Sequence, residues 1–354
     1  MILYKRVVEQ KVDRHQWGTF VKELLVTGGK VPLAMVRKRA TDKEHSTVAP
    51  VLLVHGFGQN RYAFHLPARS FANYLASAGF DVFNVDLRGH GRSRHFGGRR
   101  ARGVDDYVEE DLPTAVHEVH QASGHRKVFL VGHSLGGLVS YAAAPAMRDR
   151  VAGIVSIGSP YHFARGSWSL KAIAMFFRML EVGRVPTVNA PLILRPVGEV
   201  MRKLRRFAES PLYPVPLRGW HKGALEPHVL DEHLRLAFDR ASLAEMRNMF
   251  EWASKKRFGG EEADYVERFE RMDIPLLVIA GENDDLAPPA SVRPGFARSQ
   301  SRDKTYRVYP LGHIDLLVGR DAPITVWPLV RGWLLDRKGL ATPSTGSDEA
   351  RRAG

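Results

Sequence analysis

Two apolar runs that end in glycine-rich turns constrain this fold more than any other feature of the chain. Residues 50–54, Pro-Val-Leu-Leu-Val, lead into His55-Gly56-Phe57-Gly58, and residues 127–131 lead into Gly132-His133-Ser134-Leu135-Gly136-Gly137. A short continuous apolar run keeps no polar face for water, so each predicts a strand buried on both sides within a parallel sheet. Further strands are predicted over 81–85, 151–157, 275–280 and 306–309. Helical patterns separate them over 67–78, 105–123, from the serine turn to about 147, and 324–337. This alternation predicts an α/β fold, a mostly parallel sheet with helices on both faces. The start differs: alternating residues over 4–12 and 19–26, the turn Thr27-Gly28-Gly29-Lys30 and residues 31–38 predict an antiparallel hairpin region.

Between the strands at 151–157 and 275–280, residues 160–272 break the alternation with helices and proline-rich loops. Residues 170–181 are mostly apolar. Ser242-Leu243-Ala244-Glu245 forms a capping box, behind which Met246, Met249, Phe250 and Ala253 share one helix face. An insertion between core strands, at the carboxyl edge where α/β sheets bind ligands, predicts an α-helical lid. The expected division is a core over 1–159 and 273–338, a lid over 160–272 and a disordered tail over 339–354.

With 44% hydrophobic and 25% charged residues, a chain of 354 residues can bury a sizeable core. Cysteine is absent, which excludes a disulfide framework, a thiolate metal site and a cysteine nucleophile. Lys5, Arg6, Glu9, Lys11 and Asp13 interrupt the first stretch, so no signal peptide is predicted, and no run reaches the roughly 18 apolar residues of a membrane span. The expectation is a soluble, cytoplasmic protein. Net charge is +14, and most of it sits in two windows: residues 88–102 hold six arginines and no acid, and residues 165–206 hold nine Lys or Arg against Glu181 and Glu199. Such concentration predicts either a solvated basic surface or a face that meets anions. Around the lid it suggests peripheral contact with an anionic lipid surface. No nucleic-acid partner is predicted.

Gly132-His133-Ser134-Leu135-Gly136 fits G-x-S-x-G between an apolar strand and a small-residue helix, the setting that puts a serine hydroxyl on a sharp, exposed turn. Serine is a weak nucleophile until a base takes its proton, so a histidine and an orienting acid are required. They are expected in the order Ser, Asp, His. Asp284 lies in the loop leaving the 275–280 strand, with Asp285 as its rival, and His313 lies just beyond the last strand. The expected oxyanion donors are the N–H groups of Leu135, at the helix start, and Phe57. His55 and His133 are expected to be structural, Asp86 to tie loops together, and Asp315 to cap the helix that follows it. No metal, nucleotide or other cofactor motif is present.

Through His55–Gly58, Asp86-Leu87-Arg88-Gly89-His90-Gly91-Arg92-Ser93, Gly132–Gly137, the Gly281–Pro288 loop and Gly312-His313-Ile314-Asp315, the chain resembles the α/β-hydrolase family over about residues 48–338. Gly312–Asp315 with Gly319, and the stretch 71–88, are similar to polyhydroxyalkanoate synthases and acid-lipase-like hydrolases. Those synthases use cysteine where this chain has Ser134. The resemblance therefore implies a serine hydrolase or acyltransferase with an α-helical lid, and it places the acid at Asp284. Three readings follow. The first is a carboxylic-ester hydrolase acting on a lipid-like or polyester substrate, small or polymeric, through Ser134, His313 and Asp284. The second is an acyltransferase sharing the first half-reaction, and the third is a non-catalytic hydrolase-like binding protein.

Overall fold

The computed structural model describes residues 1–97, 99–168, 170–172, 175, 191–204, 207, 209–210, 219–255, 258–259 and 264–343, less the side chains of 191–193, 195 and 253–255. Nine strands form one sheet: β1 (Ile2–Asp13), β2 (Gln16–Val26), β3 (Ala34–Ala40), β4 (Pro50–Val54), β5 (Asp81–Asp86), β6 (Val128–His133), β7 (Val151–Ile157), and, after a short ribbon of β8 (Pro191–Ile193) and β9 (Arg240–Ser242), β10 (Leu276–Gly281) and β11 (Lys304–Tyr309). Their spatial order is β1-β2-β3-β5-β4-β6-β7-β10-β11. Pairings from β1 through β3 to β5 are antiparallel, and all from β5 to β11 are parallel. The hairpin region and the parallel core of the sequence reading therefore join in a single sheet.

Alternation along β4 shows why these strands read as continuous apolar runs. Leu52 and Val54 point into one core layer, while Val51 and Leu53 point into the other, and all four are fully buried. One layer is closed by α2 (Leu112–Ser123), α3 (Leu135–Ala143) and α8 (Pro289–Arg298), the other by α1 (Phe71–Ser77) and α9 (Val326–Asp336). The helix expected over 67–78 begins at Phe71 because Ser70 caps it, its hydroxyl accepting the Asn73 N–H at 3.0 Å. The helix expected over 105–123 enters α2 through a π turn, Tyr107–Asp111.

Between β7 and β10 lie α4 (Arg195–Lys203), α5 (Pro227–Leu236), α6 (Leu243–Lys255) and α7 (Tyr265–Glu270). Most of the helix expected over 170–181 lies outside the described residues. At the capping box the Ser242 hydroxyl accepts the Glu245 N–H at 3.0 Å. Buried side chains stitch this segment to the core. The Asp239 carboxylate accepts the Gly91 N–H at 2.6 Å, Arg94 Nη1 at 2.8 Å and Asn60 Nδ2 at 3.1 Å, while Glu226 binds Arg69 and Arg14.

Four of the six arginines over 88–102 are matched by carboxylates. Arg88 is buried against Asp111 and Glu110, Arg94 pairs with Asp239, and Arg99 and Arg102 pair with Asp106. Asp106, Glu110 and Asp111 lie just past the window and Asp239 far beyond it, so a window count reads as surplus charge what folding largely neutralises. The start of the expected tail is held to the core: the Arg126 N–H donates to Thr342 O at 3.0 Å, and Pro343 bridges to His125. Residues 344–354 lie outside the described residues.

Candidate active site

Ser134 stands between β6 and α3 with φ 54° and ψ −122°, one of two described non-glycine residues with positive φ. That strain is what a reactive-serine turn stores, and neighbouring glycines make it sterically feasible. A Cβ on Gly132 would come within 2.5 Å of the Gly136 carbonyl, and one on Gly136 would overlap the Val54 carbonyl oxygen. Strand and helix can approach this closely only without those side chains. The Ser134 N–H donates to Ile157 O at 2.9 Å, which ties the turn to β7.

His313 follows β11 and Asp284 follows β10, so the parallel order delivers both to the carboxyl edge where Ser134 sits. His313 Nδ1 lies 2.7 Å from Asp284 Oδ2, and both residues are buried. The other carboxylate oxygen, Oδ1, accepts the Leu286 N–H at 2.9 Å and the Ala287 N–H at 2.7 Å. The acid is thus held from both sides. Of the two adjacent aspartates, Asp284 faces the imidazole, and Asp285 is half-buried in the same loop.

Ser134 and His313 line one cavity of about 310 Å³, together with Phe57. Among the described residues, neither the Phe57 nor the Leu135 N–H donates to a main-chain acceptor. Leu135 is the first residue of α3, where a helix leaves its N–H groups unsatisfied. The cavity wall is otherwise largely apolar, with Phe163, Leu194, Leu234, Phe238, Met249 and Phe250 drawn mainly from the segment after β7.

The neighbouring histidines are placed by the backbone. His55 takes the Leu87 N–H at Nε2 (3.1 Å) and faces Gly56 O through Nδ1 (2.9 Å), while His133 reaches His313 O through Nε2 at 3.1 Å. Burial lowers both from the ordinary imidazole value, His133 well below it. The His133 ring stands 4.6 Å from the His313 ring, so it packs the imidazole as well as bonding its backbone. Asp86 binds the Arg61 side chain and the N–H groups of Arg61 and Arg92, tying loops as expected. Asp315 does not cap its own helix. Its Oδ2 accepts the Gly312 N–H at 2.9 Å and the His221 N–H at 2.7 Å, fastening the segment before α5 to the histidine loop, and burial raises its carboxyl to about 7.

Two contributors escaped the sequence reading. Gly158, with φ +58°, leaves room for the histidine–aspartate pair: a Cβ there would stand 3.3 Å from His313 Nδ1 and 3.4 Å from Asp284 Oδ2. The signal was available, since Gly158 directly follows a predicted strand, as the other turn glycines do. Gln59 lines the cavity with a buried, unpartnered Oε1, and its Nε2 lies 3.5 Å from His233 Nε2. His233 arrives from α5, far away in sequence, and no local pattern marks it.

The family model described as "alpha/beta hydrolase fold" matches residues 49–320. Among curated proteins, the chain is 26% identical to the poly(3-hydroxyalkanoate) polymerase subunit PhaC of Haloferax mediterranei, over 92% of this chain and 68% of that protein. It is 25% identical to the PhaC subunit of Haloarcula marismortui, over 87% and 64%. The chain thus spans about two thirds of the length of these two relatives. Among solved structures it is similar to a carboxyl esterase from Bacillus coagulans (TM-score 0.62, 17% identity, covering 90% of this chain and 99% of the other). It is also similar to a soluble variant of monoglyceride lipase from Saccharomyces cerevisiae (TM-score 0.59, 19% identity, 92% and 96%).

Proposed function

Because the chain belongs to the α/β hydrolase fold family, we propose that it is a serine hydrolase cleaving carboxylic esters, with Ser134 as nucleophile, His313 as base and Asp284 as the orienting acid. The observation that carries this reading is the buried 2.7 Å contact from His313 Nδ1 to Asp284 Oδ2 beside a cavity that also exposes Ser134 on its strained turn. With its proton on Nδ1 held by Asp284, the imidazole presents the lone pair of Nε2 and removes the Ser134 hydroxyl proton as the oxygen attacks the ester carbonyl. The Phe57 and Leu135 N–H groups stabilise the resulting oxyanion. Collapse expels the alcohol, which takes the proton from His313. Water activated by the same base then releases the acid and restores Ser134.

The apolar wall suits an acyl chain of a lipid or polyester rather than a charged substrate. In this reading the segment between β7 and β10 is a lid. It exposes Trp168, Met175, Val197, Val200, Leu204 and Phe207 beside the exposed cations Arg165, Lys171 and Lys203, a composition that suits an anionic lipid or polymer surface. No helix among the described residues is long and apolar enough to cross a membrane. A fluorophosphonate probe tests the nucleophile: it should label the native protein and not Ser134→Ala, and undiminished labelling of the variant would reject the assignment. Turnover of p-nitrophenyl esters of increasing chain length tests the substrate class.

The PhaC relatives, named as polymerase subunits, favour a second reading, in which an alcohol or thiol acceptor replaces water in the second half-reaction. Product analysis with added acceptor separates the two.

A further inference from the structure

Away from the candidate active site, a second cavity of about 160 Å³ opens on one face of β2, β3 and β5. It is lined by Lys22, Lys38, Arg61 and Arg92 and, among the described residues, by no carboxylate. Register explains how the cations converge. Lys22 on β2 lies directly opposite Arg6 on β1 and Lys38 on β3, so three cations occupy one cross-strand row. Like charges placed directly opposite one another destabilise a sheet.

The other face of the same strands shows how this chain treats such charges when they are structural. There Arg37 binds Asp81 and Glu23, Arg39 binds Glu23, and Lys5 binds Glu44. On the cavity face, Arg61 has Asp86. Among the described residues, Lys22, Lys38 and Arg92 form no ion pair with a carboxylate. Lys38 is 2% exposed and is held by Gln10 Oε1 and Asn73 Oδ1, both at 2.6 Å. Two further polar atoms of the lining residues, Tyr4 Oη and Asn84 Oδ1, are buried without a partner. Burial and then the neighbouring guanidinium groups pull the Lys22 ammonium down to about 8. Preplaced donors whose charge no lining carboxylate offsets suit an anionic ligand.

We propose that this cavity binds the phosphate group of a small ligand, with Lys22 and Arg92 as its cationic partners and Tyr4 Oη as a neutral donor. The volume admits a tetrahedral oxyanion together with a small attached group. Two negative charges match Lys22 and Arg92, and Asn84 Oδ1 accepts from a P–OH or an adjacent hydroxyl.

Titration of the full-length protein with inorganic phosphate and with glycerol 3-phosphate, against chloride at matched ionic strength, tests the proposal by calorimetry and by Tm. Either phosphate should bind with measurable heat and raise Tm where chloride does not. Preference between the two identifies a free ion or a phosphomonoester. Lys22→Gln and Arg92→Gln should each weaken binding about tenfold or more, as expected for a lost charge-assisted hydrogen bond. In phosphate-free buffer the Tm of Lys22→Gln should not fall, because the change relieves repulsion. A phosphate response equal to that of chloride, or one unchanged in both variants, would overturn the site. So would a Lys22→Gln protein that loses Tm without phosphate yet keeps the full phosphate response.

Discussion

Asp284→Asn separates a positioned acid from a merely neighbouring one. The Asp284 carboxylate uses Oδ1 to accept two main-chain N–H groups, from Leu286 and Ala287, and Oδ2 to face His313 Nδ1 at 2.7 Å. An asparagine at 284 keeps its carbonyl oxygen on the two N–H donors, which turns its NH₂ toward the ring. His313 Nδ1 then becomes an acceptor, and the ring proton moves to Nε2, the atom that must take the serine proton. Folding is little changed, because the side chain keeps its size and its main-chain partners. Turnover should nevertheless fall by about 10⁴, equivalent to about 5.5 kcal/mol of transition-state stabilisation. Asp285→Asn, half-buried in the same loop, should stay within about threefold of wild type. The assay is kcat and KM for a p-nitrophenyl ester, with circular dichroism to establish the fold of each variant. A loss below tenfold for Asp284→Asn, or equal losses for the two, would refute the tautomer argument.

Gly158→Ala should lower stability by about 1–2 kcal/mol from the left-handed backbone alone and reduce kcat by pressing on the His313–Asp284 pair; unchanged kcat and denaturation midpoint would remove its proposed role. Burial raises the Glu245 carboxyl to about 7. The folded protein therefore binds a proton that the unfolded chain releases near pH 4.5, and stability attributable to this group falls as pH rises from about 4.5 to 7. Glu245→Gln, which mimics the protonated form, should be more stable than wild type at pH 8 by about 1–3 kcal/mol and equal to it at pH 4, as read by urea unfolding at both values; a constant difference would reject the buried-carboxyl account. Sedimentation with anionic and neutral vesicles across a salt series should show binding to the anionic set that weakens as salt screens it; equal binding to both sets, or none at low salt, would remove the lid's surface role.

Much of the parallel core was legible because its signals are local. The continuous run over 50–54 became β4, with its residues alternating between two core layers, and the glycine turn after 127–131 became the strained corner at Ser134. Covalent spacing and steric need set those features, so a window of a few residues contains them. The positions of Ser134, Asp284 and His313 were readable for the same reason, each lying just beyond a strand.

Features that depend on distant partners were not readable. Local pattern alone leaves Asp285 as a rival; the resemblance points to Asp284, and the path of the loop after β10 is what turns its carboxylate toward His313. The arginine-rich stretch 88–102 counts as surplus charge until folding brings Asp111, Glu110 and Asp239 against it. Lys22 and Lys38 look like ordinary polar positions on alternating strands until the register of β2 and β3 sets them face to face. Backbone sterics and hydrophobic periodicity act over neighbouring residues and are written in the sequence. Electrostatic compensation acts through space, so its sign at any one side chain is decided only when the chain has closed around it.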